Sequence, residues 1–235
     1  MISEVTVASA KTLEVSGKVA ETTKKVGDAI DITRRIDITA RVTDVKSGID
    51  ISKRIVPDKA KLMDYTGKEL TEKQKTELTA KGMSKGILGD CTYKDGIVKL
   101  KTVYNKFENR VLPETDVKYV RKTVDIKGTK VEGVFPEFKS VFTTHLPDNI
   151  LMSSDKVQFN HCVKNLQNEI KNNPGLSNHF SSRQLDQIKT GKTPGGYTWH
   201  HNEQLGKMEL VKTDIHDMAK HTGGRAIWGG GGIHR

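Results

Sequence analysis

The chain has 235 residues, 34% of them hydrophobic, 6% aromatic and 29% charged, enough for one modest core and sparse for two. No apolar run approaches the ~18–20 residues of a membrane span, and Met1 to Lys11 lack the basic start and apolar stretch of a secretory signal, so signal-peptide export of the chain as written is not expected. A formal charge of +10 favours an anionic partner, whether nucleic acid, an anionic membrane surface or an acidic protein.

Residues 1–57 carry no aromatic side chain and repeat a short unit: Ile30-Asp-Ile-Thr-Arg-Arg-Ile36, Ile36-Asp-Ile-Thr-Ala-Arg-Val42 and Ile49-Asp-Ile-Ser-Lys-Arg-Ile55. The apolar steps of two and four fit neither a clean strand nor a clean helix, and the region reads as an irregular connecting segment closed by Pro57. A small β-rich module is expected over 58–139. In it, Thr71 opens a short helix across 70–81 that Lys81-Gly82 stops. Residues 91–104 and 117–134 read as strands, with turn signals at Asp95-Gly96 and Gly128. Nothing in this module looks catalytic. Cys91 and Cys162 have no zinc or disulfide spacing and read as two ordinary buried thiols.

From Ser153 the pattern becomes helical. Ser153 or Ser154 can cap a helix with Val157, Cys162, Val163, Leu166 and Ile170 on its apolar side, ended by Asn172-Asn173-Pro174-Gly175. A second helix runs from Ser181 or Ser182 to Lys189. Seven of the eight histidines lie in the last 90 residues, together with both tryptophans. His161 and His179 read as structural or surface residues. Gly191-Lys192-Thr193 lacks the earlier glycine of a phosphate loop, that position being Asp186.

The informative segment follows. Tyr197 to His201 has strand composition, Gln204-Leu205-Gly206 can turn the chain, and Lys207 to Val211 alternates like a second strand. Thr213 or Asp214 can cap a helix that ends near His221, stopped by Gly223 and Gly224. Imidazole suits phosphodiester hydrolysis because its pKa near ~6.5 lets it take a proton at neutral pH, and because it is the commonest ligand for a divalent cation. The spacing limits the roles. His200 and His201 point to opposite faces of a regular strand. His216 and His221 lie roughly 140° apart on a helix and converge only if the helix ends early and the chain wraps back. Asp217 and His221 share a helix face, which makes Asp217 a reserve ligand. A plain helix C-terminal cap is the alternative role for His216 or His221. Trp199 reads as a core anchor rather than a base-stacking platform, and Gly229 to Gly232 as a flexible tail with His234 a bystander.

Trp199-His200-His201, Gly206-Lys-Met-Glu-Leu-Val211, Ile215-His216, His221-Thr-Gly-Gly224 and Trp228-Gly-Gly-Gly, in that order, resemble the WHH-type nuclease modules of the HNH/endonuclease VII superfamily found at the C-termini of bacterial polymorphic toxins. The likeness extends upstream through Phe142-Thr-Thr-His-Leu-Pro147, giving a module over 140–235. It implies an α+β chain ending in a ββα-metal nuclease with two preceding helices. It also implies one divalent metal ion, Mg2+, Zn2+ or another transition metal. His201 would be the general base, His200 a metal ligand, and His216 and His221 the helix-side ligands. The superfamily's usual late-hairpin Asn is missing, which leaves Glu209 or Asn202 to orient the base. DNA is the favoured substrate, with an RNase toxin of the same fold as an alternative, because the motif itself does not separate the two. The resemblance further implies a small acidic immunity protein as partner, and delivery as part of a longer toxin into the cytoplasm of a target cell. A non-catalytic nucleic-acid-binding or zinc-stabilised module is the competing reading; no Cys lies near the cluster to support structural zinc.

Overall fold

A computed structural model describes residues 64–234, all within one compact unit, Lys61–Arg235. The connecting segment expected over 1–57 lies outside these residues. The fold is α+β, built on two sheets.

The first sheet has five strands in the order β1-β2-β3-β5-β4. They are β1 (Lys68–Glu69), β2 (Cys91–Lys94), β3 (Ile97–Leu100), β4 (Lys118–Ile126) and β5 (Thr129–Glu137). Two-residue turns form both hairpins. Asp95-Gly96 and Lys127-Gly128 each place two consecutive residues at positive φ, the geometry that matches strand twist. The hairpins join through a parallel pairing of β3 with β5, in the register Val98↔Val131. The helix α1 (Glu72–Ala80) opens on Thr71 with a capping box to Gln74 and stops at Gly82. The strand expected over 91–104 ends at Leu100. Beyond it the chain loops out, and Val103 is 49% exposed.

The second sheet has the order β6-β8-β7, with β6 (Phe142–His145), β7 (Tyr197–His201) and β8 (Lys207–Lys212) all antiparallel. Gly206, at φ +71°, turns the β7–β8 hairpin. The helices α2 (Asp155–Asn172) and α3 (Ser182–Lys189) lie between β6 and β7 in the chain, each with a serine N-cap. Two short helices, α4 (Thr213–Met218) and α5 (Gly224–Ile227), follow the hairpin.

One sequence expectation needs correction within α2. Val157 is 46% exposed, and Gln158 takes the core position in its place, because the buried stripe runs through 158, 162, 163 and 166. Cys162 and Cys91 are buried free thiols as expected, both pushed up to about 12 by burial.

The C-terminal glycines are also unlike their sequence reading. Gly223 and Gly224 do not stop α4; Gly223 is the N-cap of α5. Gly224 sits where any Cβ would collide with Asn202 O and the Trp228 ring. Gly229, Gly230 and Gly231 are buried rather than a loose tail. The Gly230 N–H donates to Gly82 O (2.7 Å), and the Ser84 N–H donates to Ala226 O (2.8 Å). The end of the chain is therefore tied to the turn after α1. One core accordingly spans the unit: Leu100, Ile126 and Val131 from the first sheet join Leu166 from α2, Leu210 from β8, and Ile227 and Trp228.

Candidate metal centre and nuclease site

The hairpin and the segment after it bring three histidines together. His200 is the last residue but one of β7, His216 lies in α4, and His221 lies in the loop beyond it. One ring nitrogen from each falls within 4.8 Å of the others, and among the described residues no other His, Cys, Asp or Glu group of three does this. The convergence depends on the early end of α4. Ala219 leaves helical geometry (φ −84°, ψ 76°), so His221 comes back toward His216 instead of continuing round the helix.

The middle module fixes that loop from outside. Tyr119 Oη donates to Lys220 O (2.8 Å), and the Val103 N–H donates to Thr222 Oγ1 (3.0 Å). Phe138, just past β5, lies against all three rings, with centroids 4.7 Å from His200 and 5.5 Å from both His216 and His221. Around the cluster runs a cleft of about 770 Å³, lined by His200, His201, His216, His221, Asp155 and Arg225 among others.

The electrostatics favour neutral rings. His200 is 2% exposed; burial, reinforced by His221 and His216, drives its pKa well below the ordinary value. Burial lowers His221 from 6.5 to about 4. It lowers His216 too, although Asp217 pulls the other way. His221 Nδ1 lies 2.6 Å from Ala219 O, a carbonyl that can only accept, so Nδ1 carries the proton and Nε2 the lone pair. Among the described residues, neither ring nitrogen of His200 has a hydrogen-bond partner. A buried polar group left so costs about 1–3 kcal/mol. A cation shared by the three rings would relieve that cost at one His200 nitrogen, and three neutral imidazoles are a chemically suitable donor set. These residues fit a metal ion.

The remaining sequence candidates are placed as follows. His201 is buried on the other side of the strand from His200. Its ring lies 5.7 Å from Phe159 and 5.6 Å from Trp228, and Nε2 is 2.7 Å from Gln158 Oε1. Asp217 stands outside the converging nitrogens. Its side chain is 71% exposed, with a carboxylate oxygen 3.9 Å from His216 Nδ1. Asn202 and Glu209 engage each other: Asn202 Nδ2 donates to Glu209 Oε2 (3.0 Å), and Lys207 Nζ pairs with Glu209 (2.8 Å). Both brace the hairpin. Trp199 is buried and its indole donates to Thr193 Oγ1 (3.1 Å), the anchor role expected of it. His161 pairs with Asn165, and neither it nor His179 joins the triad.

Sequence reasoning passed over Phe138, Asp155, Gln158 and Arg225. Arg225 Nη1 donates to Ser153 O (3.0 Å) and Gln158 Oε1 (3.1 Å), and its Nε lies 3.2 Å from Asp155. A polar residue on the core stripe of α2 was the available signal for Gln158. An aromatic at the end of a strand carries no signal of its own.

Residues 127–223 match the model of a protein family described as the DNase/tRNase domain of colicin-like bacteriocin. The matched stretch begins in the β4–β5 turn, takes in Phe138 and both sides of the hairpin, and ends just past His221. No curated protein and no solved structure matches the chain. The match supports a nuclease toxin, a hydrolase of DNA or tRNA, and the histidine cluster lies inside the matched segment.

Proposed function

We propose that this protein is a metal-dependent endonuclease of the HNH type, with the WHH form of the motif, that serves as the toxic effector of a bacterial polymorphic toxin and prefers DNA. The observation that carries this reading is the convergence of His200, His216 and His221 within 4.8 Å, beside a fourth histidine on the same cleft, inside a segment similar to bacteriocin nucleases. Chemical roles are assigned to 140–235, with 58–139 as supporting module and 1–57 as connecting region.

His200, His216 and His221 would hold one divalent ion, and Asp217 is a reserve ligand at the exposed edge. All-nitrogen donors favour Zn2+ or another transition metal over Mg2+, which prefers oxygen. When bound, such an ion polarises a phosphate and neutralises charge on the leaving oxygen. His201, off the ligand set but on the same cleft, takes the proton from the attacking water. Asn202 and Glu209 hold the hairpin that carries both histidines in register, and so orient the base indirectly.

The +10 charge draws a polyanionic substrate to the protein. A nuclease of this kind endangers its producer, so a cognate immunity protein is required. An acidic one would gain encounter rate from opposite charge. The effector acts in the cytoplasm of a target cell after delivery by a specialised secretion route. A second substrate reading, tRNA, has specific support, because the matched family covers both DNases and tRNases.

Digestion of plasmid DNA, total RNA and purified tRNA by the full chain, with and without EDTA, tests the proposal. Cleavage that EDTA abolishes and added Zn2+ restores is expected, with plasmid the preferred substrate. Cleavage indifferent to EDTA would overturn the metal assignment, and preferential loss of tRNA would overturn DNA as substrate.

A further inference from the structure

Gln158 is fully buried, 0% exposed, at a position on α2 that the neighbouring stripe residues Cys162, Val163 and Leu166 fill with apolar side chains. A buried amide is costly unless its donors and acceptors are used. Here all four places are used. Nε2 donates to Leu151 O (2.7 Å) and Ile150 O (3.0 Å). Oε1 faces Arg225 Nη1 (3.1 Å) and His201 Nε2 (2.7 Å).

These contacts fix the direction of the amide. Turning it over would set its oxygen against two carbonyl oxygens and its NH2 against a guanidinium that can only donate. With Oε1 so fixed, the atom 2.7 Å away must be a donor, since a lone pair on His201 Nε2 would face an oxygen lone pair. His201 Nε2 therefore carries hydrogen, and the neutral ring has its basic lone pair on Nδ1.

We propose that Gln158, its oxygen shared with Arg225, is a positioning residue that sets the tautomer and ring orientation of His201 for proton abstraction at Nδ1. This rests on the assignment of His201 as the base. An apolar residue at 158 would serve the core as well or better; the buried amide makes sense as an orienting group aimed at one imidazole. Arg225 reinforces the arrangement. Its guanidinium also engages Asp155 and Ser153 O, so the start of α2 and the start of α5 are locked around the same oxygen.

The test reads the tautomer directly. Long-range ¹H–¹⁵N spectra of histidine-labelled, metal-free full chain, recorded well above the ordinary imidazole pKa of ~6.5, should show His201 as the Nε2–H form, assigned by loss of its signals in His201→Ala. In Gln158→Met the Nδ1–H form should become populated, and kcat on plasmid with Zn2+ should fall ~10–100-fold. KM and Zn2+ affinity should change by less than ~2-fold, within the context-dependence of a contact not made to substrate or metal. A wild-type spectrum showing Nδ1–H overturns the proposal even if Gln158→Met fails to fold. So does a folded Gln158→Met with unchanged tautomer and kcat. A wild-type chain with the Nε2–H tautomer that cleaves no nucleic acid overturns the nuclease reading instead, and with it the catalytic purpose given to Gln158.

Discussion

Acidification of the metal-free protein should lower its stability before its carboxylates begin to protonate. His200, His216 and His221 all have their pKa values lowered by burial, His221 from 6.5 to about 4. In the unfolded chain each ring titrates near its ordinary value. In the folded chain each stays neutral to lower pH. Between 6.5 and about 4 the unfolded state therefore binds more protons at His221, so stability is fully present above that window and is lost as pH falls through it. One such group contributes a slope of about 1.4 kcal/mol per pH unit, and the His221 displacement alone comes to about 3 kcal/mol. That is a large share of the ~5–15 kcal/mol that holds a domain folded. Urea unfolding in EDTA at about pH 7.5 and about pH 5.5, where carboxylates are still largely ionised, measures the first part of that loss, since midpoint shifts report stability when the slope m is constant. His221→Leu, which removes one titrating ring, should flatten the pH dependence. Coincident wild-type midpoints at the two pH values, or an unchanged slope in His221→Leu, would refute the reasoning.

Three further outcomes are expected. His201→Ala should abolish cleavage and leave calorimetric Zn2+ binding largely intact, whereas His216→Ala should weaken that binding; loss of metal by His201→Ala would mean the two roles are reversed. Phe138→Ala should cost about 2–4 kcal/mol in thermal or urea melts, as large-to-small changes against packed rings do. It should also weaken metal affinity by freeing three imidazoles at once, and unchanged affinity would show that the ring is only a cover. A fragment starting at residue 140 should be poorly folded, with dye-accessible apolar surface, because Leu210, Ile227 and Trp228 share their core with Leu100, Ile126 and Val131; a fragment from residue 61 should fold cooperatively, and a well-ordered 140–235 piece would show that the shared core is dispensable.

Legibility in the sequence followed the range of the interactions. The β2–β3 and β4–β5 hairpins could be read because Asp95-Gly96 and Lys127-Gly128 impose their turns locally. The α1 and α3 ends could be read because Thr71 and Ser181 cap with residues three positions on. The strand β6 could not: Phe142 to His145 has no local turn or alternation that marks it, and it exists because β8 offers an edge more than sixty residues later. Within α2 the periodicity gave the helix but the wrong first core residue. Val157 is the apolar one, yet position 158 faces inward and a glutamine is there for reasons that only His201 and Arg225 make plain.

The site divides along the same line. The two faces of β7 separate His200 from His201 by strand geometry alone, and the condition for His216 and His221 to meet, an early helix end, is met at Ala219. What the sequence did not announce is why the helix ends there. The loop that carries His221 is tied to Tyr119 on one side and to the Val103 backbone on the other, both in the middle module. Phe138 comes from the same module and touches every member of the triad. The histidines are thus short-range features of a hairpin and the turn after it, while their convergence is a long-range product of the five-stranded sheet. A module that looks inert by composition can set the geometry of a metal centre, because holding three neutral rings within one ion's reach takes packing and hydrogen bonds rather than further ligands.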